Sequence, residues 1–174
     1  REKEPQIASE QNAGGVQIMS IHRSKGLEFP VVILCDLNHR FNGADQTSPV
    51  LVHPRLGLGT ERVDTARRVR YPTISKIALA QEMEKEMLSE EMRLLYVAMT
   101  RAKEKLILVD CLKNARSHVQ KLSALTELPV PPQVVRSAKT MGDWVLQVLL
   151  CSTEAGAIHA WAGIAPPVRE SAAG

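Results

Sequence analysis

VQIMSIHRSKGLEFPVVILC, residues 16–35, holds two apolar runs on either side of a polar loop. The first run, Val16–Ile21, is short and rich in β-branched residues, and reads as a strand. The second, Val31–Cys35, has no polar break, which suits a parallel strand covered on both faces. Pro30 stands at its first position, where a missing N–H is tolerated. The loop His22–Phe29 has Gly26 near its centre, and Gly26 permits close approach of a ligand to the backbone. Open α/β sheets bind ligands at the ends of parallel strands. There, Glu28 can accept hydrogen bonds from ribose hydroxyls, and His22, Arg23 and Lys25 can face phosphates. On local pattern alone, a polar loop with a solvated charge run remains the other reading.

Working outward, residues 36–72 are punctuated by Asn42-Gly43, Ser48-Pro49, His53-Pro54 and Gly57-Leu58-Gly59. These turn signals predict an irregular excursion with room for one small hairpin near Pro49–Val52, and His53 reads as a turn residue. From Ile74 to Lys103 there is no Gly or Pro and the pattern is helical, with Thr73 or Ser75 as cap. Ser89-Glu90-Glu91 suggests a break with a fresh N-terminus. Leu88, Met92, Leu95, Met99 and Ala102 form an apolar stripe, while Glu90, Val97, Thr100 and Arg101 share a second arc with Arg93. Lys105–Val109 reads as another buried strand, and the order strand, strand, helix, strand argues for an α/β fold. Helices are expected at His118–Glu127, Thr140–Leu150 and Ala155–Trp161, with Pro129, Pro131 and Pro132 as connector and Trp144 and Trp161 as packing anchors.

Arg101 ends the long helix just before a buried strand. The rigid fork of guanidinium donors suits a transferring phosphoryl group. The bland reading is a surface helix with a Glu90–Arg93 pair at i, i+3, worth a few tenths of a kcal/mol.

Composition narrows the classes. The 174 residues fit one domain, and the net charge of +3 permits nucleic-acid binding without demanding it. Aromatics are only 3%, which argues against a surface that stacks bases on rings. Cys35, Cys111 and Cys151 have neither metal-ligand nor redox spacing and are expected to be free thiols in a reducing compartment. His39, His118 and His159 lack partners at ligand spacing, so no metal site is expected. No apolar run is long enough to span a membrane, so no membrane partner is expected. There is no G-x-x-x-x-G-K-[ST] phosphate loop and no acidic run after an apolar strand. The start at Arg1, not Met, suggests a piece of a longer protein.

Two segments carry a resemblance. Val16–Leu34 is similar to motif V of UvrD-like superfamily 1 helicases, and SEEMRLLYVAMTRAKEKLIL, Ser89–Leu108, is similar to their motif VI. The linker PVLVHPRLGLGTERVDTARRVRYPT and the later KTMGDWVLQVL resemble the corresponding stretches of AddA-type helicase–nuclease proteins. The resemblance implies a partial RecA-like parallel sheet of the P-loop NTPase type, flanked by helices and followed by a helical C-terminal extension. It divides the chain into a flexible segment at 1–15, a second-motor-domain portion at 16–113, helices at 114–165 and a flexible tail at 166–174. It implies that Arg101 is an arginine finger, that Gly26 and Glu28 meet the nucleotide, and that Ser20 and His22 lie near a single-stranded DNA backbone. Arg93 and Tyr96 match further motif VI positions. The implied cofactor is ATP with Mg2+ in the full-length protein, with no tight binding or hydrolysis by these 174 residues alone. The implied partners are single- and double-stranded DNA, a first motor domain and the B-type helicase–nuclease subunit, in the bacterial cytoplasm at the nucleoid. Motifs I to IV and the nuclease motifs are absent. The competing functional class is a non-catalytic nucleic-acid-binding or docking module derived from a helicase.

Overall fold

The computed structural model describes residues 15–123 and 128–165. The expected flexible tail at 166–174, and all but the last residue of the flexible segment at 1–15, lie outside the described residues. Strand β1 (Phe29–Leu34) pairs in parallel with β2 (Ala102–Leu108), with Val32 beside Leu106 and Leu34 beside Leu108. Parallel strands need a long crossover. Here it contains a short 3-10 helix (Ala44–Thr47), an antiparallel unit and the long α-helix α1 (Ile74–Met99).

The antiparallel unit comprises β3 (Val50–His53), β4 (Gly57–Asp64) and β5 (Val69–Pro72). The small hairpin expected near Pro49–Val52 is there, as β3 with the first half of β4, but the stretch from Glu61 to Pro72 is a second hairpin and not irregular. Of the turn signals, Asn42-Gly43 and Ser48-Pro49 precede β3, His53-Pro54 stands where β3 ends, and Gly57-Leu58-Gly59 forms the first residues of β4. Pairing is in tandem along β4. Its first half, Gly57–Thr60, pairs with β3, and its second half, Glu61–Asp64, pairs with β5. Leu51, 1% exposed, and Gly59 face α1. A Cβ on Gly59 would lie 2.7 Å from the Lys76 Cα and 2.7 Å from Leu79 Cδ1, so only glycine lets sheet and helix come this close.

Thr73 caps α1 as expected, its hydroxyl accepting from the Lys76 N–H at 3.3 Å. The helix runs unbroken through Ser89, because Glu90 and Glu91 extend a run of strong helix formers. It stops at Met99, four residues short of Lys103, and β2 starts at Ala102, before the expected Lys105. The stripe is also shifted. Leu79, Leu88, Leu95 and Ala98 are buried, whereas Met92 and Met99 are more than a third exposed. The front half of α1 packs on the antiparallel unit and the rear half on β1 and β2, so no single arc describes it.

Two strand expectations fail. Val16 and Ile18 are 93% and 97% exposed, and no described strand offers them a ladder. The Ser20 carbonyl instead accepts from the Arg23 and Ser24 N–H groups, opening a 3-10 turn at Ile21–Ser24. On β1, Val31 and Ile33 are about half exposed, so that strand is covered on one face among the described residues rather than both.

The C-terminal helices are α2 (Ala115–Leu122), α3 (Pro132–Ser137), α4 (Met141–Cys151) and α5 (Ala155–Ala162). The first begins three residues before His118, and residues 124–127 of the expected helix lie outside the described residues. The prolines do not only connect: Pro132 opens α3, where its fixed φ suits a first helical turn. Trp144 is an anchor as expected. It is buried in one core with Leu34, Leu37, Leu88, Leu95, Ala98 and Ala138, and its indole N–H donates to the Val135 carbonyl at 2.8 Å. Trp161 is not an anchor: it is 72% exposed, because α5 buries the face bearing Ala155, His159 and Ala162.

Candidate functional site

The loop before β1 and the turn before β2 meet at the amino-terminal ends of these two parallel strands. The sequence rule pointed to strand ends in general; their C-terminal ends, where open sheets bind ligands, are not where this loop lies. Arg101 holds the loop twice. Its carbonyl accepts from the Phe29 N–H at 2.9 Å, and its guanidinium donates from Nη1 to the Leu27 carbonyl at 2.9 Å. Nε donates to the Val97 carbonyl at 2.9 Å, and Nη2 donates to the Thr100 hydroxyl at 3.1 Å. An arginine has five N–H donors, so part of the fork remains free.

Glu28 sits between the two tied residues and its carboxylate meets Lys103 Nζ at 3.1 Å. Both side chains are more than half exposed, so the pair is worth no more than about 1 kcal/mol. Gly26 turns the loop at φ 84°, the left-handed region in which glycine carries no Cβ penalty. Gly26, Glu28 and Arg101 therefore belong to one neighbourhood. Ser20 and His22 are exposed at the 3-10 turn, and no hydrogen bond or ion pair links them to Arg101. Ser24, buried, donates its hydroxyl to the Ile21 carbonyl at 2.7 Å and closes that turn.

Sequence reasoning missed the roles of Thr100 and Lys103. The signal for Lys103 lay in the parallel register: Phe29 sits beside Ala102, which brings the residues flanking each into reach. Arg93 pairs with Glu90 as the i, i+3 spacing predicts, and Tyr96 is 69% exposed on the same helix.

Elsewhere, His53 is buried in a tight constellation. Its Nδ1 accepts the Arg55 and Leu56 N–H groups at 3.2 and 3.1 Å. Its ring proton is therefore on Nε2, which faces Glu86 at 3.0 Å. Arg55 reaches the other Glu86 oxygen at 2.6 Å. The His53 hydrogen bond, and then Arg55, hold the Glu86 carboxyl below its ordinary value. This ties the first hairpin to α1; His53, expected as a turn residue, is the last residue of β3 and holds the turn that follows it. A hollow of about 210 Å3 opens between Phe41, Gln46, Met87 and Lys139, far along α1 from Arg101. Among the described residues no group of three or more His, Cys, Asp or Glu residues is placed to hold a metal, and no helix is long and apolar enough to cross a membrane. The three cysteines are free.

Residues 2–113 match the UvrD-like helicase C-terminal domain. The chain is 46% identical over 156 residues to the A-type subunit of the ATP-dependent helicase/nuclease of Heliobacterium modesticaldum, a match that covers 87% of this chain and 11% of that protein. It is 42% identical over 164 residues to the protein of the same name from Thermoanaerobacter pseudethanolicus, covering 93% of this chain and 13% of the relative. A third, from Exiguobacterium sibiricum, is 46% identical over 137 residues, 78% of this chain and 12% of the relative. The chain thus spans about a tenth of the length of the curated relatives it matches.

Proposed function

Since this chain belongs to the UvrD-like helicase C-terminal domain family, we propose that it supplies one half of the ATP site and part of the single-stranded DNA track of an ATP-dependent DNA helicase. That helicase is the A-type member of a two-part helicase–nuclease, working with its B-type partner in double-strand break repair at the bacterial nucleoid. The observation that supports this best is the double hold of Arg101 on the Leu27–Phe29 backbone, which puts the phosphate-seeking arginine and the sugar-seeking Glu28 side by side.

The residues fit one side of a nucleotide. Arg101, with part of its fork free, suits terminal phosphoryl oxygens, and Glu28, paired only at the surface with Lys103, is available to sugar hydroxyls. Gly26 lets the backbone come close. They do not fit magnesium, and we assign its ligands and the phosphate cradle to a first motor domain elsewhere in the longer protein. A bound triphosphate supplies the transferable phosphoryl group. This chain's part is to bring a fixed positive charge to it from outside, an arrangement worth about 10³–10⁵ in rate where an arginine finger operates. Swinging Arg101 toward phosphate releases the Leu27 carbonyl. The loop that carries Ser20 and His22 toward DNA therefore feels the nucleotide. The motor portion is placed at 16–113, with helices following at 114–165, a boundary supported by the end of the family match at residue 113.

Arg101→Ala in the full-length helicase–nuclease protein containing this chain tests the reading. DNA-stimulated ATP hydrolysis is expected to fall by at least about 10³-fold with DNA binding retained. Turnover within a few-fold of the parent would sink the assignment.

A further inference from the structure

The second half of β4 and all of β5 form a two-stranded ribbon, Glu61–Asp64 against Val69–Pro72, that no third strand accompanies among the described residues. Strand β3 pairs only as far along β4 as Thr60. Four paired residues a side make the ribbon roughly 14 Å long before its turn. All four residues of β5 are exposed, as are Arg62 and Val63 opposite them.

Charge is concentrated on this ribbon and its approach. Residues 55–70 hold Arg55, Arg62, Arg67, Arg68 and Arg70 against Glu61 and Asp64, a net +3 that equals the net charge of the whole chain. Arg55 is taken by Glu86, and Arg67 lies 4.0 Å from Asp64. Glu61 is taken by the buried Lys76 at 2.6 Å. Arg62, Arg68 and Arg70 have no ion-pair partner among the described residues. Their placement is not that of a flat patch. Arg62 is cross-strand from Tyr71, so Arg62 and Tyr71 share a face, and Arg70, next along the strand, lies on the other. Arg68 occupies the tip at φ 55°, a conformation glycine or asparagine adopts at less cost. A surface that met one wall of phosphates would use only one of these faces.

We propose that this ribbon enters the major groove of B-form DNA, with Arg62 toward the phosphates of one strand, Arg70 toward those of the other and Arg68 at the leading tip. The groove is about 12 Å wide and admits a two-stranded ribbon. The major groove of A-form RNA is too narrow and deep for one. The choice of nucleic acid as partner rests on the helicase reading above; the placement of the arginines does not.

The test is the salt dependence of binding of the full chain to a short mixed-sequence DNA duplex, followed by fluorescence anisotropy. Arg62→Gln, Arg68→Gln and Arg70→Gln together are expected to flatten the slope of log K against log salt by about 2–3, since each phosphate contact contributes about 0.9. The three Arg→Lys replacements keep the charge and should keep the slope. An RNA duplex of the same sequence should bind more weakly, with no loss on the Gln substitutions. The proposal is overturned if the Gln variant superposes on the parent, if the parent binds no duplex, or if RNA and DNA duplexes lose affinity equally. It is overturned too if the Gln variant loses only self-association in sedimentation, which would make the ribbon an interface between copies. Arg101→Ala separates the two readings: turnover retained there would fell the finger without touching the ribbon's slope.

Discussion

Leu27 and Arg101, 74 residues apart, are joined by a hydrogen bond of 2.9 Å from the guanidinium to the carbonyl. The bond fixes the loop before β1 to the end of α1. Thr100 supports it from the side, since its hydroxyl accepts from Nη2 of Arg101. Thr100→Val keeps the shape and removes that acceptor. The Arg101 Nη2 protons should exchange with water measurably faster in nuclear magnetic resonance spectra, and thermal stability should fall by about 0.5–1.5 kcal/mol. Unchanged exchange would mean that Thr100 does not hold the guanidinium.

Glu86→Gln tests the hairpin latch. The carboxyl is held below its ordinary value of 4.5 by His53 first and Arg55 second. A depressed carboxylate contributes stability that is whole above the ordinary value and disappears as pH falls through the folded one. The variant should therefore melt below the parent at neutral pH, and the two curves should converge as acid takes the pH below the ordinary carboxylate value and through the lowered folded one. A gap that stays constant into strong acid would show that the charge of Glu86 is not what matters.

Gly59→Ala probes the closest approach of sheet to helix. The added methyl meets the backbone of Lys76, which cannot rotate away as a side chain would. A loss of about 1–3 kcal/mol in chemical denaturation is expected, as for other overpacked sites. Wild-type stability would mean that α1 shifts freely against β4.

Neighbouring residues on β3 should behave oppositely. Leu51 is 1% exposed and Val52 is 66% exposed. Leu51→Ala should cost about 2–5 kcal/mol, and Val52→Ala within about 0.5 kcal/mol. Equal losses would contradict the face assignment of the strand.

The legible parts of the fold were those with local causes. The long helix starting after Thr73 follows from a run of helix formers and that cap, though not its unbroken passage through Ser89 or its end at Met99, and β1 follows from its apolar run. What stayed hidden depends on partners distant in sequence. Val16–Ile21 has the composition of a strand, but a strand exists only where another offers it a ladder. Residues 36–72 read as largely irregular because His53-Pro54 and Gly57-Leu58-Gly59 look like turn signals. In fact Gly59 is demanded by the helix packed above it. At the candidate site, residue types pointed to Glu28 and Arg101, but the hold on Leu27 uses a carbonyl, and main-chain oxygens leave no mark in a sequence. The arginines of the ribbon were visible as letters; only the pairing along β4 shows that they stand on both sides of an arm that no third strand joins among the described residues.

Helix α1 is about 39 Å long. The base of the arginine ribbon is fixed to its first turns, through Thr73 to Thr60 and Lys76 to Glu61, and Arg101 hangs from its last. Leu88 sits near the middle, buried in the core. Leu79 toward one end and Leu95 and Ala98 toward the other are buried as well, so the helix is seated along its length and not hinged at one point. One stiff rod thus spans the distance between the arm that carries Arg62, Arg68 and Arg70 and the turn that carries Arg101.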